Sequence, residues 1–139
     1  MTAGGHRFEC RVYFEDTDAG GVVYNANYLR FYERARTELL RKMGFEQDEL
    51  MREGIVFVVR NMNIDFVQAA RFNEMLEVVT RVNKLKKVSV DLDQEIFTER
   101  AGQTELINRA EVKIACVNSV SFKPCAMPES IYREFSAYE

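Results

Sequence analysis

A chain of 139 residues, nearly half of them apolar, with ten phenylalanines and six tyrosines against two prolines, can bury one core and leaves little material for disorder. At a formal charge of −3 its lysines and arginines are scattered, with no basic stripe interleaved with aromatics. That argues against a nucleic-acid partner and leaves small phosphorylated ligands open.

Three cysteines, Cys10, Cys116 and Cys125, are odd in number, and none pairs at the spacing of a zinc site, so no metal is expected. No apolar run approaches the roughly eighteen residues of a membrane span, and no charged leader with an apolar centre opens the chain. The expected setting is a reducing cytoplasm, with no membrane insertion. Linkers, repeats and low-complexity tracts are missing from the composition, so one domain over 1–139 is expected, frayed at 1–5, where the residues are small and glycine-rich.

In chain order, residues 7–14 alternate Phe8, Cys10, Val12 and Phe14 with Glu9, Arg11 and Tyr13, the pattern of a strand. Over 27–43 the apolar positions Tyr28, Phe31, Ala35, Leu39 and Met43 recur at intervals of three and four, which predicts one long helix. Asn25 or Asn27 is expected to cap its start, and Gly44 followed by Phe45 to stop it in the left-handed region. A weaker helical stretch covers 47–53. Strands are then expected over 55–66, 75–86, 88–97 and 106–117, with hairpin turns at 83–87 and 100–103. Val88, Val90 and Leu92 alternate with Ser89, Asp91 and Asp93, so the sheet is wet on one face. One long helix and an antiparallel meander make an α+β domain of about five strands, curved around the helix, whose long edge strands invite a second copy to pair.

Between the first strand and the helix lies "EDTDAGGVVYNANY", residues 15–28, with two carboxylates running into a double glycine. On residue types alone, Asp16 and Asp18 are turn acids that accept from nearby backbone N–H groups. A calcium loop fails, because the acid expected eleven residues beyond Asp16 is Asn27. The only histidine, His6, stands by the frayed end and leaves nothing for a Ser-His or Cys-His mechanism. The cysteines read as small core residues without an activating base.

The stretches "RVYFEDTDAGGVVYNANYLRFYERARTELL", "FVVRNMNIDF" and "AEVKIACV", in this order and spacing, resemble the hotdog-fold thioesterases of the 4-hydroxybenzoyl-CoA thioesterase family. Within that family the chain is similar to the bacterial acyl-CoA thioesterases associated with the Tol-Pal envelope system. The resemblance spans nearly the whole chain. It implies hydrolysis of acyl-CoA by a homodimer or homotetramer with its site between subunits; CoA enters as substrate and no bound cofactor is needed.

By the same resemblance Asp18 falls on the family's catalytic aspartate, a general base for water or a nucleophile. Asp16 is left as structural, a partner for backbone amides that fixes the loop. Gly21 and Tyr24 line the substrate path, and the backbone amide of Asn25 is the leading oxyanion donor, with its side chain as a further candidate. Where many relatives carry histidine after Val-Tyr, this chain has Asn25, which donates a hydrogen bond but takes up no proton at neutral pH. Lys86 and Lys87 fall where some relatives place cations on the CoA phosphates, at a hairpin expected beside the pocket mouth. Glu33 on the helix, Arg60, Arg71 and the stretch 57–59 are weaker candidates. The competing reading is a catalytically weak hotdog dimer that binds acyl-CoA or docks an envelope or lipid-synthesis protein.

Overall fold

The computed structural model describes residues 5–139. Of the expected frayed end, 1–4 lie outside the described residues, and Gly5 leads directly into the first strand, β1 (His6–Arg11). That strand is shorter than its alternation suggests. The Val12 amide donates to Glu74 O and the Tyr13 amide to the Asp16 carboxylate, which turns the chain into a 3-10 turn at Phe14–Asp16. His6 is not frayed: it opens β1 opposite Thr80 and packs edge-on against Tyr138. Burial lowers its pKa, opposed by the nearby Glu38.

The long helix, α1, spans Asn27–Lys42 and buries Tyr28, Phe31, Tyr32, Ala35, Leu39 and Leu40, the face its periodicity predicts. Its end is the expected one. Gly44 has φ 97° and donates to Arg41 O, while the Phe45 amide reaches back to Leu40 O, the paired bonds of a left-handed stop. Its start differs from expectation. Ala26 occupies the N-cap and no side chain caps the first turn; the Asn27 side chain is drawn instead to Asp16. The short helix α2 (Gln47–Arg52) follows and seats Leu50 in the core.

Four further strands complete the sheet: β2 (Ile55–Phe66), β3 (Met75–Leu85), β4 (Ser89–Arg100) and β5 (Gln103–Asn118). All pairs are antiparallel, in the order β1-β3-β4-β5-β2. This corrects the simple meander, because β2 lies beside β5 and not beside β3. The segment between β2 and β3 must therefore cross from one side of the sheet to the other. A last helix, α3 (Glu129–Ser136), was not foreseen; its eight residues bury only Ile131 and Phe135, too few repeats to stand out from the sequence.

The helix lies on one face of the sheet, where Val78, Leu92, Ile96, Ile107 and Val112 join Phe31, Tyr32 and Leu39 in a single core. Alternate residues of β4, such as Asp91, Asp93 and Glu95, point the other way, which gives this strand its strict alternation of burial. The hairpin between β4 and β5 closes at Arg100 opposite Gln103 with Ala101 at φ 52°, a left-handed conformation that costs an L-residue about 1 to 2 kcal/mol. Ala101→Gly is expected to raise the unfolding free energy by about 0.5 to 1 kcal/mol, part of the relief being lost to the added freedom of the unfolded chain. Urea denaturation of the two proteins measures it.

Candidate active site

The loop from Thr17 to Val23 is closed on itself. Thr17 and Val23 form an antiparallel bridge, and the Asp18 amide donates to Val22 O at 2.9 Å. Inside this closure the Gly21 amide returns to Asp18 O at 3.1 Å, and the Gly20 amide donates to Asp18 Oδ1 at 2.8 Å. The two glycines have separate reasons to be there. A Cβ at Gly20 would stand 3.2 Å from Asp18 Oδ1, and Gly21 sits at φ 79°, where a side chain strains the backbone.

The crossing segment between β2 and β3 holds the loop from outside. The Val23 amide donates to Ala70 O, the Phe72 amide to Gly21 O, and Val22 bridges to Arg71. The Ala70 amide in turn donates to the Tyr28 hydroxyl in the first turn of α1 at 3.0 Å. Loop, helix start and crossing segment thus form one hydrogen-bonded unit.

Asp16, expected to be structural, is so placed. It is 5% exposed; Oδ2 accepts from the Tyr13 amide at 2.8 Å and Oδ1 from Asn27 Nδ2 at 2.7 Å, while its carbonyl accepts from the Tyr24 amide. This pin between the acid loop and the helix start is invisible to sequence reasoning, since Asp16 and Asn27 stand eleven residues apart with no local signal joining them. Asp18 by contrast is exposed, and its second carboxylate oxygen makes no hydrogen bond among the described residues.

Tyr24 is 57% exposed and its carbonyl accepts from the Asn27 amide in the turn that begins the helix. The Asn25 and Ala26 amides have no acceptor among the described residues. They are the open donors that a helix start offers to an anion or a developing oxyanion. Asp18, Gly21, Tyr24 and Asn25 therefore share one short loop.

Lys86 and Lys87 do not join them. Both are exposed at the β3–β4 hairpin, while the Asp18 loop lies by the start of β3; the eleven residues of that strand separate the two ends by about 35 Å. The pocket mouth expected beside this hairpin is therefore not formed within one chain. His6 is remote in the same way, at the end of β1 opposite the one that feeds the loop. Burial pushes the Cys10 thiol up to about 11 and the Cys116 thiol up to about 12, so neither is poised as a nucleophile. Among the described residues no cluster of His, Cys, Asp and Glu is arranged to hold a metal ion, and no helix is long and apolar enough to cross a membrane.

Residues 12–135 match the model of the thioesterase-like superfamily. The chain belongs to this family. It is 47% identical to the acyl-CoA thioester hydrolase YbgC of Escherichia coli O6:H1 over 131 residues, covering 93% of this chain and 94% of the relative. With the acyl-CoA thioesterase YbgC of Haemophilus influenzae the identity is 42% over 136 residues, 97% of each chain. The crystal structure of a probable thioesterase from Bartonella henselae superposes with a TM-score of 0.79 at 38% identity, covering 89% of this chain and 99% of that one. The hotdog fold implied by the sequence and the assignment to the thioester hydrolases are borne out together.

Proposed function

We propose that the protein hydrolyses acyl-CoA to the free acid and CoA, as a member of the 4-hydroxybenzoyl-CoA thioesterase family within its Tol-Pal-associated subgroup, and that it works in the cytoplasm as a single-domain homodimer or homotetramer. The observation that carries this reading is the pairing of a carboxylate with an open oxygen, on the closed loop, with the open amides of the helix start that follows it directly. A thioester laid across the loop places its carbonyl oxygen on the Asn25 amide. Asp18 then takes a proton from the attacking water, or attacks the carbonyl carbon itself to form a mixed anhydride that water afterwards hydrolyses, freeing the acid and Asp18. The C–S bond breaks as the tetrahedral centre collapses, and CoA leaves as its thiolate. Gly21 and Tyr24 border the approach. CoA is substrate here, and neither metal nor bound cofactor enters the scheme.

Assembly is supported by β2, which among the described residues pairs with β5 alone and leaves its outer edge open over twelve residues. Val59, Phe66 and the adjoining Val67 are each close to half exposed along that edge. A second copy pairing there covers them and walls the Asp18 loop, which in one chain faces solvent. Lys86 and Lys87 reach CoA phosphates in this scheme only from another subunit.

Asn25 in place of histidine favours the second reading, a catalytically weak dimer that binds acyl-CoA or docks an envelope or lipid-synthesis protein. Thiol release from acyl-CoAs of graded chain length separates the two. The thioesterase releases thiol with saturation kinetics and depends on Asp18. A binding module retains CoA while releasing thiol equally slowly with and without that carboxylate.

A further inference from the structure

Beside α1, from Glu33 to Leu40, lies a partly open cavity of about 210 Å³ lined by that helix, α2, β2, β4, β5 and α3. Most of its lining residues are apolar, Leu39, Leu40, Phe57, Leu92, Ile114 and Phe135 among them, while Glu33, Arg36 and Gln47 give it a polar side. On that side α1 sends in the guanidinium of Arg36, which donates to Gln94 Oε1 at 2.9 Å. Gln94 is completely buried, and its own amide nitrogen is committed to Tyr32 O and Thr80 Oγ1, so the acceptor it offers Arg36 is fixed in direction.

Among the described residues Arg36 makes this one side-chain hydrogen bond. None of the ion pairs among the described residues includes it, and Glu33, one turn earlier at the rim of the same cavity, is exposed and makes no bond to it. Arg36 is partly exposed and none of its nitrogens is a buried orphan, so its unused donors are open to the cavity, where a carboxylate can pair with them. Burial lowers the pKa of Arg36, with the charge of Glu33 opposing. Among the described residues the other arginines are either ion-paired, as Arg100 is with Glu74, or exposed, so Arg36 is set apart by lacking a pair while partly buried.

We propose that Arg36 is a specificity residue and that the cavity takes the far end of an ω-carboxyacyl chain, whose terminal carboxylate pairs with the guanidinium. The planar fork of arginine suits a carboxylate, and the apolar wall suits the methylenes leading to it. Arg36 lies nine residues along the helix from Asn27, about 14 Å at the helical rise, so a thioester held at the helix start reaches it only through a chain of medium length. The inference rests on the thioesterase reading above and names the substrate class of that site.

The test compares adipoyl-, suberoyl- and sebacoyl-CoA with hexanoyl-, octanoyl- and decanoyl-CoA, following thiol release by the wild type, Arg36→Met and Arg36→Lys. At the length that fits, the wild-type kcat/KM for the ω-carboxy substrate exceeds that for its alkanoyl counterpart by about tenfold or more. Arg36→Met reverses this order, and Arg36→Lys retains part of the preference. Each value is a ratio within one protein, so a variant that folds in reduced yield does not distort it, and the wild-type ratios already decide. Equal or faster release from the alkanoyl series at every length, or a ratio that Arg36→Met leaves unchanged, overturns the role of Arg36 and leaves the thioesterase reading standing. Release from neither series overturns both.

Discussion

Asp18→Asn is expected to lower kcat for acyl-CoA hydrolysis by at least about a hundredfold, the lower range for loss of a general base, while CoA binding and the thermal midpoint stay close to wild type. The stability side follows from exposure. Asp18 lies in solvent contact, and its one side-chain bond, from the Gly20 amide to Oδ1, is kept by the carboxamide oxygen of asparagine. The kinetic side follows from the other oxygen, which is open and is the only part of the side chain able to take a proton from water or attack carbon. An interaction of that kind is made in the transition state and not with bound CoA, so kcat and kcat/KM fall together while CoA affinity holds. Stopped thiol release with retained calorimetric CoA binding is the expected pair of results; release within about threefold of wild type removes Asp18 from the chemistry.

The second large effect is expected at the neighbouring acid, with the opposite signature. Asp16→Ala removes two charge-assisted bonds, from the Tyr13 amide and from Asn27 Nδ2, and Asn27 is only 7% exposed. Both donors are left without their partner, at a cost of about 3 kcal/mol, which for a domain of this size lowers the melting temperature by roughly 10 °C. Under the proposed mechanism activity falls as well, since Asp16 holds the acid loop to the helix start whose amides are assigned to the thioester oxygen. Differential scanning calorimetry together with thiol release at a temperature where the variant is folded distinguishes the two acids: Asp18→Asn loses rate alone, and Asp16→Ala loses stability first. A variant at Asp16 that melts with wild type shows that the pin is dispensable.

Much of this architecture was legible in residue order. Periodicity placed α1 within one residue at each end, because a long amphipathic stripe matches one backbone period only, and a run rich in Ile, Val and Phe placed β2 over its full span. Local chemistry placed the left-handed stop at Gly44 and the hairpin at 100–103. The cap shows where residue order misleads: Asn25 and Asn27 suit a helix cap by propensity, yet Asn27 serves a carboxylate eleven residues earlier. The β3–β4 hairpin suits a phosphate site by charge, and the length of β3 leaves that role open only toward the loop of another subunit.

The sequence by itself determined the α+β class, the single long helix, the acid loop with its two glycines and the family that the chain resembles, since each of these depends on residues near one another in the chain. Only the tertiary structure decided that β2 joins the sheet beside β5, that its crossing segment clamps the acid loop, that Asp16 pins and Asp18 stays open, and that Arg36 lines a cavity without an ion-pair partner. These depend on which distant groups find one another once the core closes, and hydrogen bonds across ten or more residues leave no period in the sequence.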